Sequence, residues 1–439
     1  MRKQYIGLDV LRGLGIFVLI WMHSAFYYFD GLYDLDLNNP PAIVTVIGLL
    51  LMFAGVFAMV SGTVHTYQFY RKTEIQGFSN SSLLKYNTVS GLIILAVAYT
   101  YFIFTGPGLV QMEQRAMNNS ILVDAIRNGI YKGFNIERIL YVDSLVMLGI
   151  NILLIGLVFI LIQKYAGLGE FKKQEKERDY FTNMEYLDKV HDKAAKLFLA
   201  SGLGFFLVSL LRVPLYQVYI SALDQDNYGK VLLLNWLVNK NNPIMPYLSF
   251  ALLGGWIATL LVIGNWKRIV RQVMPVSLVL LIVGVILYIK LPDTMLERSI
   301  DLKWFAIMTA QLGLFMMLLI LVLKIFDFRK DEEKIMEHKK LSFIPKFIYR
   351  FGVAGLTPFF LESIISAIIF RKLSFFIPGL SFGIKESLIY GFCLAIMWGL
   401  LLTLWEKKEY KYGIEYFYVR TLRKLGSSAK EEKLANKDI

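Results

Sequence analysis

The chain has 439 residues, 56% of them hydrophobic and only 18% charged, with a mean hydropathy of +0.52. That is too apolar for an average soluble globular protein and is the composition of an integral membrane protein. The formal charge of +13 does not point to nucleic acid, because the lysines and arginines lie in short stretches between apolar runs, as juxtamembrane anchors do. A single cysteine, Cys393, excludes an intramolecular disulfide and a cysteine-based metal cluster.

A hydrocarbon core of about 30 Å takes roughly 20 helical residues to cross, and ten windows qualify. They run over 6–29, 42–67, 83–105, 139–165, 197–220, 243–264, 270–290, 304–326, 348–370 and 384–405. These runs are far longer than the roughly ten-residue alternating strands of a barrel, so the expected fold is an all-α integral membrane protein, a bundle of about ten transmembrane helices. The basic start (Arg2, Lys3) and first apolar run lead into an aromatic and acidic stretch, Tyr27 to Asp36, with no small-residue cleavage site, so the first run reads as a retained span. Lys and Arg in alternate connections number 33 on the side of both termini and 12 on the other. The positive-inside rule then gives a multi-pass protein of the cell membrane with both ends cytoplasmic. Residues 1–405 form the polytopic domain and 406–439 a basic cytoplasmic tail. The 166–196 segment reads as a solvated, partly helical connector. The outer 106–138 segment has an amphipathic stretch near Asn119 to Ile130, and pattern alone is equally consistent with a lid, a re-entrant piece or an interfacial helix.

Ionisable residues inside spans cost several kcal/mol, with estimates beginning at about 2.5 to 3.5, and so usually face a bundle interior and mark a site. In the first span, LDVLRGLGIFVLIWMHS, Arg12 and His23 are eleven residues apart. At about 100° per residue they differ by ~20° around the axis and by ~16 Å along it, so they share one face. Asp9 precedes Arg12 by three residues, close enough to pair with it. Counting rise from the inner ends puts His23, Glu362 and Arg212 at similar depth, so a three-way cluster is allowed, as is a separate Glu362–Arg212 pair. Asp143, entering from the outer side, reaches the same layer and is an alternative orienting acid for His23. The second span brings Ser61, Gly62 and His65 toward its inner end, with Arg71 and Lys72 just beyond. That mouth suits a phosphorylated donor, although cations at such a place are positive-inside anchors more often than ligands. Four histidines, two of them in charged loops (His191 and His338), make no spaced metal set, and no Walker loop, HExxH or GxSxG occurs.

The stretch LDVLRGLGIFVLIWMH resembles the first-helix motif of the transmembrane acyltransferase group, which joins family-three acyltransferases, heparan-α-glucosaminide N-acetyltransferase-like proteins and YeiB-like proteins. The family-three mark is Arg, ten residues, then His, matched here by Arg12 and His23. FAGVFAMVSG resembles the Ser-Gly second helix of the group, MPYLSFALLGGWIATLL a later Gly-rich helix, and LTPFFLES with KYGIEYFYVR the closing part of YeiB-like members. The resemblance implies transfer of an acyl group, acetyl being the expected one, from cytoplasmic acetyl-CoA or another acyl-CoA to a glycan or lipid-linked sugar, without a metal. His23 would be base or acyl carrier, oriented by Glu362 or Asp143. Arg12, Ser61, His65, Arg71 and Lys72 would line the donor site. The implied partners are donor, acceptor and the bilayer, with no nucleic acid, and a homodimer is compatible. The rival readings are a secondary transporter or flippase using the polar stripe, and a scaffold with a vestigial site.

Overall fold

A computed structural model describes residues 4–36, 41–44, 48, 52–111, 115–129, 131, 133, 138–168, 180–292, 300–329 and 341–435. The described chain is almost entirely helical. In order, the helices are α1 (Ile6–Tyr27), α2 (Ala54–Tyr70, continued by a π turn, Arg71–Ile75), α3 (Asn80–Thr100, continued by a π turn, Tyr101–Thr105), α4 (Ile121–Asn128) and α5 (Ser144–Ala166). They continue with α6 (Tyr180–Val208), α7 (Arg212–Asp224), α8 (Tyr228–Val238), α9 (Ile244–Ile263), α10 (Trp266–Lys290), α11 (Leu302–Phe326), α12 (Phe343–Val353), α13 (Leu356–Phe376), α14 (Ile384–Glu406) and α15 (Ile414–Ala435). Eight helices among the described residues are long and apolar enough to cross a membrane, or nine if α12 and α13 count as one bent span. Much of the first half of the second window, the middle of the 166–196 connector, residues 330–340 and Ile130 lie outside the described residues.

The centre of the bundle is α9, in which Ile244 to Leu261 are all buried. It packs between α2 and α6. A Cβ on Gly62 would lie 2.0 Å from the Ala251 carbonyl oxygen, and one on Gly254 would lie 2.2 Å from that of Met59, so only glycines allow the α2 and α9 backbones to approach this closely. At the other extreme α10 packs mainly on α11 and turns Leu278, Val279, Ile282, Val283 and Ile286 outward. An apolar outward face is what a bilayer solvates at no cost.

Two windows differ from straight spans. The 348–370 run breaks at Ala354 and Gly355, and α12 and α13 meet at 93°. Pro358 cannot donate the hydrogen bond that would continue a helix back to Ala354, and a Cβ on Gly355 would lie 2.3 Å from the Phe351 carbonyl oxygen, so the corner closes tightly only with glycine there. The backbone N–H groups of Leu356 and Thr357 at the start of α13 both donate to Glu415 of α15, the latter at 3.0 Å, and the Thr357 hydroxyl donates to the same carboxylate at 2.6 Å. The basic tail is therefore fastened to the bundle at this corner. The 197–220 run belongs to a longer helical stretch, Glu185–Asp224, interrupted by a 3-10 turn at Ser209–Leu211.

The 106–138 segment folds as a short antiparallel hairpin, Leu109–Gln111 with Ala116–Asn118, followed by α4. Arg138 holds it. This fully buried side chain donates from Nε to the Phe102 carbonyl, from Nη1 to that of Asn118 at 2.6 Å and from Nη2 to that of Pro107 at 2.9 Å. Ser120 ties the start of α4 back to the Gly106 carbonyl at 2.6 Å.

Candidate functional site

α1 carries the polar face expected of it, and the bent pair α12 and α13 explains why that face is needed. Near the start of α1, Arg12 bonds Asp9 at 2.7 Å and donates from Nε to the Gly352 carbonyl at 2.6 Å, on α12. Asp9 also accepts from Gln4. Near the end of α1, His23 Nδ1 lies 2.6 Å from Glu362 Oε1, on α13. One face of α1 thus meets first one arm of the corner and then the other.

Glu362 is only 2% exposed. Its Oε1 also accepts a hydrogen bond from the Tyr101 hydroxyl at 3.0 Å, from the π turn that ends α3. Its Oε2 is buried with no hydrogen-bond donor among the described residues. The carboxylate that meets His23 is Glu362. Asp143 instead caps α5, accepting from the Leu145 N–H at 2.8 Å and the Val146 N–H at 3.0 Å, and lies within electrostatic range of His23 without a hydrogen bond to it. An acidic residue one position before a helix is well placed to accept those N–H groups, which accounts for Asp143 without the imidazole.

The three-way cluster with Arg212 does not form. Arg212 donates to the carbonyls of Val238, at 3.2 Å, Asn239 and Lys240, at 3.2 Å, and its guanidinium lies 4.3 Å from the Trp304 ring centroid. Counting rise along straight helices puts it at the right depth, but the 3-10 turn before α7 and the orphan carbonyls at the end of α8 draw it elsewhere.

A small cavity of about 10 Å³ lies beside His23 and Glu362. Its walls include Ser24 and Tyr27 of α1 and Tyr28 just after it, Gly108 just before the hairpin and Met117 within it, Asn119, Arg127 of α4, and Ser363 and Ser366 of α13. Phe359 completes an aromatic surround, with its ring 6.4 Å from His23 and 4.8 Å from Tyr101. Both side chains line it, the imidazole with 21% of its side chain exposed and the carboxylate with 2%.

The second polar group lies toward the other end of α1. His65 of α2 is within electrostatic range of Arg12 and beside Phe69 at 6.1 Å. Lys72, in the π turn after α2, lies over the Tyr86 ring at 3.8 Å and the Phe78 ring at 4.7 Å. Burial and the neighbouring Arg71 charge push its pKa down to about 8. Among the described residues it has no carboxylate partner. Tyr418 of α15 connects this cluster, since it bonds Ser90 and is within electrostatic range of both Arg12 and Tyr86. Ser61 is half-buried on α2. Sequence reasoning identified Arg12, His65, Arg71 and Lys72 but not Tyr418, Tyr101 or Arg138. A tyrosine near a span end reads as an ordinary interfacial aromatic, and an arginine in an outer loop carries no mark of burial.

A comparison with models of known protein families finds no match to this chain, and a comparison with curated proteins finds none either.

Proposed function

We propose that this chain is a membrane-embedded acyltransferase of ten spans with both termini cytoplasmic, moving an acyl group from cytoplasmic acyl-coenzyme A to a hydroxyl or amine of a glycan or lipid-linked sugar. The observation that carries the reading is the His23–Glu362 contact, 2.6 Å long, in the wall of a small cavity. With Glu362 accepting from Nδ1–H, the imidazole is held as the tautomer whose Nε2 is a base. The acceptor O–H gives its proton to Nε2 as its oxygen attacks the thioester carbonyl. The C–S bond breaks, an ester C–O bond forms, and the coenzyme A thiolate takes the proton from the imidazolium. Tyr101 holds Glu362 in place by its hydrogen bond to Oε1. Arg12, Arg71 and Lys72, with Ser61 and the imidazole of His65 as polar neighbours, supply a basic mouth for the donor phosphates some 16 Å along α1.

The test is transfer of labelled acetyl from acetyl-coenzyme A by the purified protein in nanodiscs. His23→Ala is expected to lower the rate by about 10² to 10⁴, the range for loss of a positioned general base. Glu362→Gln keeps the shape and removes the charge, and is expected to lower the rate by ~10 to 10². Full transfer by His23→Ala ends the mechanism. Solute uptake that Glu362→Gln abolishes, with no donor consumed, replaces it by transport.

A further inference from the structure

The pocket beside His23 contains a cation that acyl transfer does not use. Arg127 lies in the last turn of α4. Its guanidinium sits 4.8 Å from the Tyr28 ring centroid and 5.7 Å from that of Phe370, and Nη1 reaches the Tyr27 carbonyl at 3.4 Å and Met117 Sδ at 3.8 Å. Among the described residues no carboxylate lies within ion-pair distance of it. Asp124, the acid on its own helix, turns Oδ1 toward Asn119, at 3.1 Å, and Asn128.

The guanidinium therefore loses part of its hydration and receives ring faces and two long, weak hydrogen bonds in return. A carboxylate or phosphate is the ligand that restores the balance, because it meets the planar fork with two charge-assisted bonds. Position reinforces this. Tyr27 follows His23 by four residues, ~6 Å along α1, so the charge is fixed about one helical turn from the imidazole. The rest of the wall offers the Tyr27 and Tyr28 rings and the hydroxyls of Ser24, Ser363 and Ser366, groups whose chemistry matches the apolar face and the hydroxyls of a sugar or polyol.

We propose that the pocket selects an anionic acceptor, one bearing a carboxylate or phosphate next to the group to be acylated, and that Arg127 is the selecting residue. The identity of the reacting centre rests on the acyl-transfer reading above. Charge selection is a binding property and is measured without any donor. Three sources share the chemistry: a uronate sugar, a sugar phosphate and an anionic lipid headgroup.

The experiment is calorimetric titration of the full chain in phosphatidylcholine nanodiscs with glucose, glucuronate and glucose 1-phosphate, repeated with phosphatidylglycerol in the disc. At least one of the two anions is expected to bind about tenfold more tightly than glucose. In Arg127→Gln that ratio falls to near one, and in Arg127→Lys, which keeps the charge but loses the fork, it is intermediate. Binding of glucuronate alone names a uronate, binding of glucose 1-phosphate alone names a phosphate, and loss of soluble-anion binding in phosphatidylglycerol discs names a headgroup. Equal affinity for glucose and both anions overturns the proposal, as does a ratio that survives Arg127→Gln or an absence of anion binding up to millimolar concentration. Parallel transfer assays with the same sugars keep the two readings apart. Anion preference without transfer overturns the enzyme and leaves the charge selection, whereas transfer without preference does the reverse.

Discussion

Replacing Arg138 by Met tests whether the segment over the pocket is held by one buried side chain. The substitution keeps an unbranched apolar stem but removes three donors, those serving the carbonyls of Phe102, Pro107 and Asn118. Each carbonyl left without a donor costs about 1–3 kcal/mol. The hairpin is partly exposed at Leu109, Val110, Met117 and Asn118, so water recovers part of this, and a local loss of roughly 3 kcal/mol is the working figure, in line with breaking a buried charged contact. The penalty falls on the hairpin and α4, which touch the bundle at its margin, and not on the α2, α6 and α9 core, so the effect is local opening. Hydrogen exchange followed by mass spectrometry in nanodiscs is the direct assay. Backbone amides of Gly108–Gln111 and Ala116–Asn118 are expected to lose about 10²-fold in protection, at 1.4 kcal/mol per factor of ten, while Leu248–Leu261 stays unchanged. Arg138→Lys, with one flexible point charge in place of the fork, is expected to lose part of that. Unchanged protection of the hairpin in Arg138→Met would refute the reasoning.

Two further outcomes follow from the same geometry. Gly352→Ala puts a Cβ 1.8 Å from the Asp9 carbonyl oxygen, so α1 and α12 must separate; about 1–3 kcal/mol is expected to be lost, seen as a lower Tm, whereas Gly204→Ala, with nothing within 4 Å on the helical α6, is expected to hold or raise it. For Lys72, folding lowers the pKa from 10.5 to about 8, so the unfolded chain binds more protons between those values and folding stability rises as pH climbs through them. Binding of coenzyme A is expected to move the other way, weakening above about pH 8 as the ammonium is lost, and Lys72→Arg is expected to flatten that dependence; affinity that stays constant from pH 7 to 9 in the native protein removes Lys72 from the donor site.

What the chain disclosed in advance was local. The Asp9–Arg12 pair and the shared face of Arg12 and His23 depend on helical spacing within one segment, and spacing is legible because a helix repeats. The His23–Glu362 contact was one of several options, since nothing local distinguishes Glu362 from Asp143. The difference lies in what each carboxylate already has to do, for Asp143 is consumed by the first N–H groups of α5. Arg212 lies away from the depth that straight helices give it, because the 3-10 turn and the end of α8 lie outside a count of helical rise. Tyr101 and Arg138 act across long stretches of sequence or through burial, neither of which a pattern of residue types encodes.

The corner between α12 and α13 is completed by Glu415, a residue that follows all of the long apolar helices among the described residues. Arg12 and His23, on the first helix, meet the two arms of that corner. The polar face of α1 therefore takes its surroundings from a segment 340 residues further along the chain in one contact and 339 in the other. The site is a clasp whose two halves come from segments far apart in sequence, so the orientation of the imidazole depends on how α13 is held against α1.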